Sequence, residues 1–260
     1  MADLMRGKTV LVMGIVNRWS LAYAIAHALV REGAALCLTY QGERVRKAVE
    51  DLGRELGNAR VYPCDVSQDE SVAALFQSLA TDLAAAGGRL DGVVHSIAFA
   101  NKEDLDRPFE QTSRAGFSLA LDVSAYSLVT VAHHAAPLMA EGGGIVTLSY
   151  LGATRVVTNY NVMGVAKAAL EACVRYLASE LGPRRIRVNA ISAGPVRTAS
   201  ARGIKDFSSM LDHVAQRAPL RRSTDPAEVG DTSLFLLSDI GRGVTGDVIF
   251  VDSGYHILGL

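Results

Sequence analysis

The chain has 260 residues, 49% of them hydrophobic and 20% charged, enough apolar material for a buried core and too little net charge for disorder. Lys plus Arg number 26 against 27 for Asp plus Glu, so no polybasic field exists to track nucleic acid or an anionic membrane surface, and neither is expected as a partner. No uninterrupted apolar run approaches the roughly 18 to 20 residues of a transmembrane helix, and Cys37, Cys64 and Cys173 lie at spacings that give neither a zinc site nor a redox pair. A soluble, cytoplasmic protein with reduced thiols and no metal is expected, and one α/β domain over residues 1–260 accounts for the length.

The first strand is predicted over residues 9–13 and runs into Gly14. Leu21, Ala22, Ile25, Ala26 and Leu29 then recur at helical spacing and stop at Gly33, with Ser20 as the helix cap. A second strand over 35–40 ends at Gln41, and the charged residues 43–50 read as a solvated helix face. A third strand over 59–63 leads to Asp65 and Val66. Ser67 and Glu70 follow with capping-box spacing, which predicts a helix from about Gln68. Further strands are predicted over 92–97, 144–148, 187–191 and 247–251. Several of the seven runs are apolar on consecutive residues, the pattern of strands covered on both faces, so the expected fold is a doubly wound α/β parallel sheet. Residues 197–222 lack this regularity and form a candidate lid over the carboxyl ends of the strands.

A glycine after the first strand and a helix N-terminus beside it suit a pyrophosphate, although Gly14 lacks the second glycine of GxGxxG and a plain tight turn explains it equally well. At the end of the second strand, where an acid usually meets the adenosine ribose, Gln41 offers an amide, which favours NADH over NADPH. Asp65 with Val66 fits either an adenine contact or an ordinary turn. His133 and His134, adjacent on a helix, point about 100° apart and do not share a metal. His95 reads as a strand-end hydrogen-bonding group.

Tyr160 and Lys167 lie seven positions apart in a stretch that is helical in pattern to Leu181, so they share one face two turns apart. A phenol with a cation beside it has its pKa depressed and becomes a better donor to a developing oxyanion. Tyr150 follows the fifth strand and is expected to converge on the same site. On spacing alone, a buried tyrosine and an exposed lysine of an amphipathic helix explain the pair as well.

The segments MGIVNRWSLAYAIA, CDVS, HSIAFA, LSYLGA, NYNVMGVAKAALEA and RVNAISAGPVRTASARGIKDF together resemble the bacterial enoyl-acyl-carrier-protein reductases, a divergent branch of the short-chain dehydrogenase/reductase superfamily, over nearly the whole chain. The long Tyr-x6-Lys spacing belongs to that branch. Ordinary superfamily members use Tyr-x3-Lys and a serine about a dozen residues before the tyrosine, where this chain has Thr147. The resemblance implies a Rossmann-type fold, a homotetramer, and reduction of a trans-2-enoyl thioester on acyl carrier protein by NADH. In that reading Tyr160 holds the enolate oxygen, Lys167 binds the nicotinamide ribose, and Tyr150 assists protonation or shapes the acyl pocket. Gly14, Ser20 and Leu21 then face the pyrophosphate, Gln41 the adenosine ribose, and Asp65 with Val66 the adenine. Ile97 lies along the cofactor, Val196, Arg197, Thr198, Ala199 and Ser200 surround the carboxamide, and Ala100 lines the acyl pocket. Met13 and Ala98 depart from the family pattern. Two other readings compete: a carbonyl reductase of the same superfamily, and a non-catalytic dinucleotide sensor. Leu170, Val174 and Leu177 are expected to leave apolar surface for assembly.

Overall fold

A computed structural model of the chain describes residues 3–198 and 207–259. Successive side chains of a strand point to opposite faces, so an unbroken apolar run supplies two core layers at once. In β1 (Thr9–Met13), Val10 and Val12 enter one layer while Leu11 and Met13 enter the other. β2 (Ala35–Tyr40), β3 (Arg60–Pro63), β4 (Gly92–His95), β5 (Gly143–Ser149), β6 (Ile186–Ala193) and β7 (Val248–Val251) follow. All seven pair in parallel in the order β3-β2-β1-β4-β5-β6-β7. The strands expected from the sequence are present with shifted ends. β4 stops at His95 and leaves Ser96 and Ile97 in the following loop, whereas β6 runs on through Ala193.

The helices among the described residues are α1 (Leu21–Arg31), α2 (Glu43–Glu55), α3 (Asp69–Ala85), α4 (Lys102–Asp106), α5 (Arg114–Leu121), α6 (Ser127–Ala135), α7 (Asn161–Leu181), α8 (Phe207–Arg217) and α9 (Pro226–Leu237). α1, α2 and α9 cover one sheet face, and α3, α6 and α7 the other. Leu29 and Leu128 are fully buried in these two layers, and each such side chain contributes about 1.5–3 kcal/mol.

Four expectations need correction. The Ser67–Glu70 capping box does not form: the Ser67 hydroxyl donates to Asp65 Oδ1 at 2.7 Å, and α3 starts at Asp69 with Gln68 at its N-cap. The chain's capping box is at α9 instead, between Asp225 and Glu228 with Pro226 in the first turn. The segment 197–222 is less irregular than expected, because α8 lies within it. A π turn, Asp122–Tyr126, joins α5 to α6 in a continuous helical stretch, Arg114–Leu138, that is long and apolar enough to cross a membrane by length and composition. Counting uninterrupted apolar residues misses it, because Ser, Thr and His punctuate the run. Val123, Leu128, Val131, Ala132 and Ala135 of this stretch sit in the same core layer as strand residues, which makes it a core helix here. Finally, Leu170, Val174 and Leu177 are taken up by the chain's own core, whereas Tyr176 beside them is 75% exposed.

α1 and α9 cross at Gly230, where an added Cβ would lie 2.7 Å from the Ala24 carbonyl oxygen. Overpacking of about 1–3 kcal/mol opposes the roughly 1 kcal/mol that alanine gains in helix propensity. Gly230→Ala is therefore expected to lower the urea midpoint; a raised midpoint would mean that the crossing tolerates the methyl group.

Candidate active site

The strand order reverses between β1 and β4, and in doubly wound sheets the crevice at the carboxyl ends of such a pair receives the ligand. Gly14, directly after β1, has φ +90°, and a Cβ there would lie 1.9 Å from the Ser96 carbonyl oxygen beyond β4. Any side chain would collide with that carbonyl and push the two loops apart. The same Cβ would stand 3.5 Å from Ile97 Cγ1, so two of the expected cofactor residues are neighbours. Ser20 is buried, and its hydroxyl accepts from the Tyr23 amide at the head of α1, leaving the helix N-terminus at the crevice beside half-buried Leu21. Gln41, exposed, and Asp65 lie at the ends of β2 and β3. Burial raises the Asp65 carboxyl, but the Ser67 hydroxyl, the Ser67 amide and the Gln41 amide outweigh it and hold the group below its ordinary range. These bonds form a turn at Asp65 and are compatible with the adenine contact as well, and Val66 beside it is buried.

Tyr150 leaves the end of β5, and Tyr160 occupies the N-cap of α7; their rings meet edge to face with centroids 4.8 Å apart. Small residues permit this. A Cβ on Gly152 would lie 2.4 Å from the Tyr160 ring, and one on Gly164 2.8 Å from the Gly152 carbonyl oxygen. Asn161 adopts φ +38°, a conformation that asparagine tolerates better than most residues, and its amide donates to the carbonyls of Leu105 and Arg107. That anchors the head of α7 to α4. Two turns on, Lys167 is 5% exposed and donates to the Leu148 carbonyl at 2.7 Å.

The electrostatics differ from the expectation in one respect. Desolvation, then the neighbouring Tyr150 phenol, push the Tyr160 hydroxyl above its ordinary pKa, and Lys167 exerts no opposing pull because its ammonium is turned to Leu148. Tyr160 therefore stays protonated. Burial lowers Lys167 to about 8, with Glu171 acting in the opposite direction. Tyr150 is pushed up to about 12 by burial, then by Tyr255 and Asp252. Its hydroxyl donates to Sδ of Met210 on α8 at 3.4 Å, which brings the segment 197–222 to the site.

Ala100 and Tyr160 both pack against one small apolar cluster of Ala120, Val162, Met163 and Ala166. Val196 and Thr198, half-buried, and exposed Arg197 follow β6; Ala199 and Ser200 lie outside the described residues. Trp19 is 69% exposed, and His134 stacks on Phe76.

Sequence reading missed how the loop after β4 is held. His95 pairs with Thr147 across the sheet, fully buried, with Nδ1 3.0 Å from Thr147 Oγ1 and Nε2 2.8 Å from Ser127 Oγ. Ser127 gives its hydrogen to the Val123 carbonyl and so accepts from His95 Nε2, while the Thr147 hydroxyl lies within reach of both the His95 carbonyl, at 3.1 Å, and Nδ1. Ser124, within the π turn, bonds both the amide and the carbonyl of Phe99. Only the HSIAFA segment itself signalled these contacts.

Among doubly wound folds, a tyrosine and a lysine on one helix beside the switch-point crevice characterise the short-chain dehydrogenase/reductase oxidoreductases. The family model described as Enoyl-(Acyl carrier protein) reductase matches residues 14–256. The enoyl-acyl-carrier-protein reductase (NADH) of Bacillus cereus is 54% identical over 259 residues, 99% of this chain and 100% of its own. The Staphylococcus aureus enzyme, named for NADPH, is 52% identical over 256 residues, 98% of each chain. A crystal structure of the Bacillus cereus enzyme with NADP+ and an indole naphthyridinone matches with a TM-score of 0.96 at 55% identity, covering 99% of both chains. The chain belongs to the enoyl-acyl-carrier-protein reductase family.

Burial, then the Lys167 charge, lower His95 from 6.5 to about 3. The unfolded chain takes up this proton below pH 6.5 and the folded chain does not, so the histidine's contribution is complete above pH 6.5 and is lost as the pH falls toward 3. At pH 5 the loss is about 2 kcal/mol. Urea unfolding at pH 7 and pH 5 is expected to show that loss in the wild type and a smaller one in His95→Gln; equal losses would mean that His95 is protonated within the fold.

Proposed function

We propose that the chain reduces trans-2-enoyl thioesters on acyl carrier protein to saturated acyl thioesters in fatty acid synthesis, with NADH as the hydride donor. The observation that carries this reading is the protonated phenol of Tyr160, set against Tyr150 and the apolar cluster on which Ala100 also packs.

The close approach of Gly14 to Ser96 at the switch point, with the α1 N-terminus nearby, fits a dinucleotide, since only a glycine lets the turn after β1 lie this close to the loop after β4. Bound there with the α1 N-terminus toward its pyrophosphate, NADH supplies a hydride to the β-carbon of the enoyl group. Negative charge then moves onto the thioester oxygen, and the Tyr160 hydroxyl donates a hydrogen bond to it. A fixed donor in low-dielectric surroundings is strong because it needs no reorganisation as the charge forms. Protonation at the α-carbon completes the saturated chain. Lys167 has spent one of its three N–H donors on Leu148, and the others serve the nicotinamide ribose. Tyr150 shapes the acyl pocket or assists protonation. Ile97, Val196, Arg197 and Thr198 surround the nicotinamide end, and Ser20, Leu21, Gln41, Asp65 and Val66 the rest of the cofactor; Ala199 and Ser200 are assigned to the nicotinamide end by the family resemblance alone.

NADH is preferred over NADPH because Gln41 is uncharged and the nearby cations Arg44, Arg46 and Lys47 lie on the exposed side of α2, where Arg46 is engaged by Glu43 and Glu50. A carbonyl reductase is disfavoured, because Thr147, near the place of the superfamily serine, is fully buried against His95. The reading extends to a single domain over residues 1–260, a substrate loop at about 197–222, a homotetramer and a cytoplasmic location.

The test is loss of absorbance at 340 nm with a 2-enoyl thioester, NADH and NADPH being run in parallel. NADH is expected to be consumed faster. Tyr160→Phe should lower kcat by about 10²–10³ with NADH affinity nearly unchanged, whereas Lys167→Ala should weaken NADH binding as well. Preferred turnover of 3-ketoacyl thioesters would overturn the assignment.

A further inference from the structure

Lys167 is a cation with little water around it and one carbonyl as its described partner, so its charge depends on what else lies nearby. One turn further along α7, Glu171 is 7% exposed. Ser149, the last residue of β5, is 5% exposed and donates its hydroxyl to Glu171 Oε1 at 2.5 Å. Burial raises the Glu171 carboxyl above its ordinary range, and the Ser149 hydroxyl, then Arg175 and Lys167, oppose that rise and favour the ionised form. A charged carboxylate inside the fold is costly unless another group uses its charge. Two titratable groups interact with Lys167: Glu171 from its own helix and His95 from the end of β4. Arg175 acts on Glu171 from the exposed side of the helix. Asp122 of the π turn, Arg114 of α5, Asp104 of α4, Arg187 of β6 and the histidines of α6 act on neither Lys167 nor Glu171.

We propose that Glu171, hydrogen-bonded by Ser149, is a positioning residue for Lys167: its buried negative charge favours the lysine as an ammonium at working pH and so maintains the lysine's grip on the cofactor ribose. This rests on the assignment of Lys167 to the ribose made above. The geometry supports it twice. Ser149 directly follows Leu148, whose carbonyl takes the ammonium, so one short piece of β5 grips both the cation and the anion. In addition, the i,i+4 spacing sets the two charges on one helix face with the acid on the strand side. Glu171 touches neither reacting partner and is not a catalytic residue.

The charges shift one another in a known sense. Burial takes Lys167 down to about 8 and Glu171 resists that fall. Removing the acid must lower the lysine further, so the alkaline loss of NADH binding must begin at lower pH. The experiment measures the NADH dissociation constant by NADH fluorescence from pH 6 to pH 10 in the full chain, for wild type, Glu171→Gln, Glu171→Asp and Ser149→Ala. Glu171→Gln is expected to move the alkaline limb down by about one pH unit, a roughly fivefold weaker affinity at pH 8 with affinity at pH 6 unchanged within twofold. Glu171→Asp should recover part of the shift, and Ser149→Ala should show a smaller shift in the same direction. An unmoved limb in folded Glu171→Gln, or an equal loss of affinity at every pH, would overturn the proposal. Should Glu171→Gln fail to fold, an unmoved limb in Ser149→Ala would do the same. NADH binding with the expected shift but no turnover of enoyl thioester would refute the substrate reading alone.

Discussion

The nearest approach of two chain segments at the centre of the sheet is the one on which the site depends. The turn after β1 can lie against the carbonyl of Ser96 only because Gly14 has no side chain, and that contact sets where both loops go next. From Gly14 the chain enters α1 and leaves its N-terminal amides at the crevice. From Ser96 it passes Ile97 and Phe99, the latter clamped by Ser124, and reaches Ala100 on the apolar cluster that also receives Tyr160. The cofactor side and the acyl side of the site are therefore two exits from one contact. Widening it would displace both.

Desolvation governs the chemistry more than charge pairing does. Coulomb attraction between a phenolate and an ammonium would favour an ionised tyrosine, but the ammonium is satisfied by a carbonyl and the tyrosine has another phenol as its neighbour. The hydroxyl therefore keeps its proton and is suited to donate. The lysine is destabilised as a cation by the same lack of water, and a buried acid on the next turn offsets part of that cost. A helix face that looks on paper like a simple phenol and ammonium pair is a line of three groups, with the strand end at Leu148 and Ser149 deciding which of them meet.

The strands were legible because consecutive apolar residues fill two core layers, and the pair Tyr160 and Lys167 because seven helical steps nearly close a circle. The family resemblance added cofactor positions that no spacing could give. What stayed hidden was competition between local partners. Ser67 could have capped α3, yet the Asp65 carboxylate takes both its amide and its hydroxyl into a turn that leaves it one residue ahead of the N-cap Gln68, while Asp225 is itself the N-cap of α9 and forms the box with Glu228. His95 looked like a strand-end polar group, but its partners come from β5 and from the helix beyond the π turn, 52 and 32 residues away. Leu170 and Val174 looked available for assembly because sequence does not reveal how much of a helix its own sheet covers.

The π turn has a consequence for how the chain can change its length over generations. It carries one more residue than a regular helix would need between Arg114 and Leu138, and Ser124 within it holds Phe99 while Ser127 directly after it holds His95. Losing one codon inside it would restore an ordinary helix and rotate one serine by about 100° relative to the other. Only one of the two anchors could then be kept. Descendants can alter the surface of this helix freely, but its residue count is tied to the loop that borders the site, so insertions and deletions tolerated in exposed loops are excluded here.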